Sequence, residues 1–164
     1  MKMQLMFCVL FLFVIAFTAG ADVKYQAVEI QTFEVTNGIE FPPDYLISLH
    51  EDLKAQLEKL NKFSEVRVMS TGSPGNSELK TLKIAGQITE YKPGSKVGRA
   101  LFGMLAGETK VEAKIQVFDA ASGVLLFTDD VDGKVTYWSP DQDSKGATQG
   151  LAKEVAKVIK KKFF

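Results

Sequence analysis

Between Thr109 and Phe118 the chain reads TKVEAKIQVF, with Val111, Ala113, Ile115 and Val117 alternating with Lys110, Glu112, Lys114 and Gln116. Successive side chains of a strand point to opposite faces, so this pattern specifies a strand with one buried and one wet face. A strand of that kind needs strand neighbours at its sides and an apolar layer over one face only.

The remaining chain supplies both. Val23 to Phe33 reads as a first strand through Tyr25, Ala27, Val28, Ile30 and Phe33, closed by Asn37-Gly38. Phe63 to Met69 reads as a second. The third is Leu79 to Tyr91, with Leu82, Ile84 and Ile88 on one face and Lys83, Gln87 and Thr89 on the other. After the alternating fourth strand, DAASG (119–123) forms a hairpin loop with Gly123 free to take positive φ, leading into a fifth strand from Val124 to about Trp138.

Two helices carry the covering layer. Pro42-Pro43-Asp44 opens the first, which runs to about Lys62 with Leu46, Leu49, Leu53, Leu57 and Leu60 in one stripe. The second spans about Ser144 to Lys162, with Leu151, Val155, Val158 and Ile159 as its apolar face and Gly150 placed for close approach to the sheet. The order β-α-β-β-β-β-α predicts an α+β fold: a two-layer sandwich of an approximately five-stranded, mostly antiparallel mixed sheet with both helices on one face.

Residues 1–21 read as a signal peptide. Lys2 is followed by the apolar run Leu5 to Phe17, and Ala19-Gly20-Ala21 provides small residues for cleavage after Ala21. The run is shorter than a spanning helix needs. Cys8, the single cysteine, lies within it and is expected to leave with it, so no lipid anchor is expected. Residues 22–164 then form one domain without cysteine, which excludes disulfides and thiol chemistry and suits a bacterial periplasm. The whole chain balances 20 Lys and Arg against 20 Asp and Glu, leaving no basic footprint for nucleic acid.

Motifs for chemistry are incomplete. His50, the single histidine, lies at the edge of the leucine stripe and is expected to pack by its ring. DQDSKG has Asp141, Asp143 and Gly146 at calcium-loop positions, but Lys145 stands where an oxygen ligand belongs. Asp141 or Asp143 is better used as a helix N-cap. DDVDG (129–133) lacks a full ligand set, and Asp132-Gly133 suggests a turn or bulge. The basic tail KVIKKKFF complements a helix dipole and could also meet an anionic membrane surface.

The stretch VGRALFGMLAG (97–107) breaks the alternating pattern. Gly98 and Gly103 give half of a phosphate loop, with Met104-Leu105 where Lys-Ser/Thr is required. Gly103 and Gly107 instead permit close backbone approach. The candidate contact residues are Arg99, Leu101, Phe102, Gly103, Met104, Leu105 and Gly107. Exposed, the apolar members would mark a contact site.

The segment GSKVGRALFGMLAGETKVEAKIQVFDAASGVLLF resembles the centre of a bacterial envelope family, domain of unknown function 4410. The matching residues are Gly94, Ser95, Arg99, Gly103, Gly107, Asp119, Ala120 and Gly123, with Ser122 where the family usually has threonine. The likeness is good over about residues 79 to 137 and covers the ends in outline. It implies a small α/β fold of the envelope-assembly kind, and many relatives look like outer-membrane lipoproteins, although this chain has no lipobox. It implies no catalytic residues.

The sequence thus predicts a non-enzymatic periplasmic or cell-envelope interaction or scaffold domain, partnered by an envelope protein or by its own copies. Two alternatives stay open. One is a membrane-associated oligomer using the glycine-rich 93–118 region, with peripheral membrane contact. The other is a small-ligand binder or enzyme built on Arg99 or His50. No cofactor, metal or nucleic acid is expected.

Overall fold

A computed structural model describes residues 25–69, 78–94, 109–135 and 145–164. The signal segment, the Asp141 and Asp143 cap and the contact residues between Arg99 and Gly107 all lie outside the described residues.

The strands are β1 (Ala27–Ile30), β2 (Glu34–Val35), β3 (Glu65–Val68), β4 (Thr81–Lys92), β5 (Thr109–Asp119) and β6 (Leu125–Val135). The helices are α1 (Pro43–Lys59) and α2 (Lys145–Phe163). They form one mixed sheet in the order β3-β1-β4-β5-β6, with β2 paired to β4. β1 runs parallel to both β3 and β4, and β4-β5 and β5-β6 are long antiparallel hairpins. The two-layer α+β sandwich is therefore the observed architecture.

The sequence order gains one strand. The stretch read as a single first strand pairs with β4 in two pieces, β1 along Thr81 to Ile84 and β2 at Gln87 and Ile88. The interruption has a cause in Phe33, which is buried and fills the place where Gly86 has no side chain. A Cβ on Gly86 would lie 2.3 Å from the Phe33 ring. β1 lies between β3 and β4, and all four of its residues are buried, including Glu29, which is bonded to Arg67 at 3.2 Å.

α1 starts at Pro43, where a missing N–H costs nothing, and places Asp44 in its first turn and Lys59 in its last. It stops short of Lys62 because Asn61 takes φ 51°, the left-handed conformation asparagine tolerates after a helix. Leu49, Leu53 and Leu57 are fully buried against Val28, Ile30, Leu82, Ile84 and the α2 residues Leu151, Val155 and Ile159, all in one core. From β5, Val111, Ala113, Ile115 and Val117 enter the same core.

Two bulges shift the alternation. The β4-β5 register slips between Ile88 and Glu90, which turns Tyr91 to the core side opposite Val111, although simple alternation would put it outside. A second slip leaves Leu126 extra between the pairs Val117–Phe127 and Phe118–Leu125.

Gly133 corrects the sequence reading. It is no turn but lies inside β6 opposite Val111, where a Cβ would lie 2.2 Å from the Ala147 carbonyl oxygen and 2.4 Å from the Leu151 nitrogen. Across this contact, Gly150 approaches Lys134 as its position suggested; a Cβ there would meet the Lys134 oxygen at 3.2 Å. The sheet and α2 thus touch backbone to backbone at a pair of glycines.

Candidate functional site

The alternation that buries Val111, Ala113, Ile115 and Val117 sends Lys110, Glu112, Lys114 and Gln116 to the face that carries no helix among the described residues. β6 answers across the ladder: Lys114 is opposite Asp130, Glu112 opposite Asp132 and Lys110 opposite Lys134. β4 sets Glu90 opposite Glu112 and Lys92 opposite Lys110. Like charges directly opposite repel, and pairing diagonally across the ladder or two residues along the same strand relieves them. The Lys110 ammonium reaches Glu90 at 3.2 Å and also contacts Glu112, while Lys134 reaches Asp132 at 3.2 Å. Hydrogen bonds to Glu112 and then Glu90 hold the Lys110 pKa above its usual value.

The result is a shallow ionic groove of about 370 Å³ lined by Thr89, Lys110, Glu112, Asp130, Asp132 and Lys134. Thr89 reaches it from the β4 bulge. Both signs are interspersed here, with ammonium and carboxylate groups fixed by strand register. Chemically such a surface can pair with a polar protein surface of matching pattern. Along its outer side β6 has no strand partner among the described residues. Aspartates 129, 130 and 132 along that edge oppose unspecific strand addition. Among the described residues no three His, Asp or Glu side chains gather to hold a metal ion.

His50 is more deeply placed than the edge of the stripe suggested. Its Nε2 accepts a hydrogen bond from the Phe33 backbone N–H at 3.0 Å, and its ring meets Phe33 edge-on. Burial lowers its pKa, so the neutral ring is favoured. The packing role predicted for it holds, with an added one: it satisfies the N–H left over where the first strand breaks.

Arg99, Leu101, Phe102, Gly103, Met104, Leu105 and Gly107 fall outside the described residues, but the ends of their segment do not. Gly94 donates its N–H to Thr109 Oγ1 at 2.9 Å, so the strands flanking the segment close on each other. Beside this point Phe41, Tyr45 and Tyr91 form an edge-to-face trio, with Phe41 and Tyr91 centroids 5.1 Å apart. The sequence reading passed over Val124, Leu125 and Leu126, which stand exposed. Three successive apolar residues after a hairpin glycine were the available signal, since a regular edge strand would alternate.

Fold and surface together define a class: a small α+β sandwich whose sheet is covered on one side and presents an ordered ionic face on the other. The chain belongs to the family described as "Domain of unknown function (DUF4410)", whose model matches residues 35–162, a span that extends the resemblance from the central strands over both helices.

Solved structures share the fold at low identity. A PelC dodecamer from Paraburkholderia phytofirmans is similar at a TM-score of 0.56 and 15% identity, over 81% of this chain and 86% of that one. A Xanthomonas campestris protein of the DUF330 family gives 0.54 at 11% identity, over 87% and 85%. A hypothetical protein from Chlamydia trachomatis gives 0.55 at 15% identity, over 82% and 95%. At these identities the likeness is one of fold alone. No curated protein matches the chain.

Proposed function

We propose that this chain is a non-enzymatic interaction domain of the bacterial cell envelope, acting as a scaffold that assembles with further copies of itself. The observation that carries the reading is the sheet face that no helix covers among the described residues, where Lys110, Lys114 and Lys134 interleave with Glu90, Glu112, Asp130 and Asp132. A surface carrying both signs in fixed register can meet a rotated copy of itself with every charge answered. The dodecamer formed by PelC, a protein of similar fold, supports this use of the architecture. Placement in the envelope rests on the apolar run from Leu5 to Phe17 and its small-residue end.

Light scattering of the purified protein at low and high salt tests the reading. The expected result is an oligomer that dissociates as salt screens the ionic face and that is lost in Lys114→Glu/Lys134→Glu. A monomer under all these conditions, with no self-crosslink from a probe at position 114 in cells, refutes it.

A further inference from the structure

One end of the molecule combines features found nowhere else among the described residues. The β5-β6 hairpin, the starts of β1 and β4 and the last turns of α1 and α2 all meet there. Tyr25 stacks edge-on against Phe163 at 5.3 Å, Phe163 meets Phe127 at 5.8 Å, and Phe63 meets Phe164 at 5.4 Å. The Tyr25 hydroxyl donates to Asp119 at 3.2 Å, which ties this cluster to the hairpin.

Four apolar side chains at this end stand exposed: Val124 at 56%, Leu125 at 47%, Leu126 at 37% and Phe164, itself part of the cluster, at 43%. The β6 bulge creates the patch, because the extra residue Leu126 stops the strand from turning alternate side chains inward.

Lysines lie over the aromatic rings of this end. Lys62 lies over Phe164, Lys80 over Tyr25 and Lys162 over Phe127, each within 5.7 Å of the ring centre. Lys160 and Lys161 share the last turn of α2. The neighbouring acids are few and mostly engaged: Asp119 accepts from Ser122 and Tyr25, Glu65 pairs with Arg67, and Glu78 precedes Lys80.

Exposed aliphatic and aromatic side chains at an end that also carries lysines are the pattern of a surface that rests in the headgroup region of an anionic bilayer.

We propose that this end seats on an anionic lipid surface. Val124, Leu125, Leu126 and Phe164 enter the headgroup boundary, and Lys62, Lys80, Lys161 and Lys162 face the lipid phosphates. Seated so, the strands rise from the membrane and the ionic sheet face stays free at the side. The proposal uses none of the charged residues of that face and stands apart from the scaffold reading.

The test is flotation of the chain from Asp22 onward, which holds the whole core, with vesicles of phosphatidylglycerol and phosphatidylethanolamine and with pure phosphatidylcholine. Binding to the anionic vesicles alone, released by salt, is the expected result. Lys161→Gln/Lys162→Gln lowers the partition coefficient roughly thirtyfold, and Leu125→Ser/Leu126→Ser roughly tenfold. Lys54→Gln/Lys153→Gln, exposed on the helical layer and outside both surfaces, leaves it unchanged. Far-UV circular dichroism checks that each variant is folded. Equal binding to neutral vesicles, no binding, or an equal loss in the Lys54→Gln/Lys153→Gln variant overturns the proposal. Light scattering on the same samples reads self-association separately, so failure of one reading is distinguishable from failure of the other.

Discussion

Replacing Gly133 with alanine tests the tightest contact in the fold. The new methyl would lie 2.2 Å from the Ala147 oxygen, 2.4 Å from the Leu151 nitrogen and 2.7 Å from the Leu151 Cβ. Two of these atoms belong to the backbone of α2, so no side-chain rotation relieves the clash. The helix must retreat from the sheet by about 1 Å, and a gap of that size forfeits roughly a quarter to a half of the dispersion attraction across it. Overpacking of this kind costs about 1–3 kcal/mol, and the rigid obstacle puts Gly133 at the upper end. The stiffer unfolded chain returns about 0.5 kcal/mol. A net loss of about 2–3 kcal/mol follows, which lowers the melting temperature by roughly 10 °C for a domain of this size. Urea unfolding followed by circular dichroism measures it. Gly150→Ala is the internal contrast: its methyl meets Lys134 at 3.2–3.3 Å and gains helix propensity, so its stability stays near that of the parent. Gly133→Ala within about 0.5 kcal/mol of the parent would show that α2 does not lie where the geometry puts it.

Other outcomes follow from the same core. His50 has its folded pKa below the unfolded value of 6.5, so the unfolded chain binds the proton first. Stability from this group is complete above that unfolded value and falls as pH drops from there toward the folded pKa, by at most about 1.4 kcal/mol per pH unit. The difference in urea midpoints between the parent and His50→Gln across that window isolates the effect; a pH-independent difference refutes it. His50→Ala removes the acceptor of the Phe33 N–H and costs about 1–3 kcal/mol before any packing loss, read at neutral pH by the same assay. Leu53→Ala, at the fully buried centre of α1, costs about 2–5 kcal/mol; thermal melting unchanged from the parent would place Leu53 outside the core.

What could be read from residues alone was whatever depends on local period. Alternation marked β5 and its wet face, the leucine spacing marked α1, and Leu151, Val155 and Ile159 marked α2, because each pattern repeats within one element. The hairpin at Gly123 was legible for a similar reason: its φ of 70° suits glycine without reference to the rest of the chain. The resemblance carried by Asp119, Ala120 and Gly123 pointed to the family whose model extends over residues 35–162.

Contacts between distant segments decided the rest. The first strand broke because Phe33 found the empty side of Gly86, and His50 became an acceptor because that break released an N–H. Gly133 looked like a turn glycine until α2 was laid across it. Val124, Leu125 and Leu126 looked like an ordinary strand start until the bulge left them facing solvent at the end where the lysines of α2 gather. A sequence states the preference of each stretch, but bulges, glycine slots and shared surfaces arise only when two stretches compete for the same space, and that competition is settled by packing.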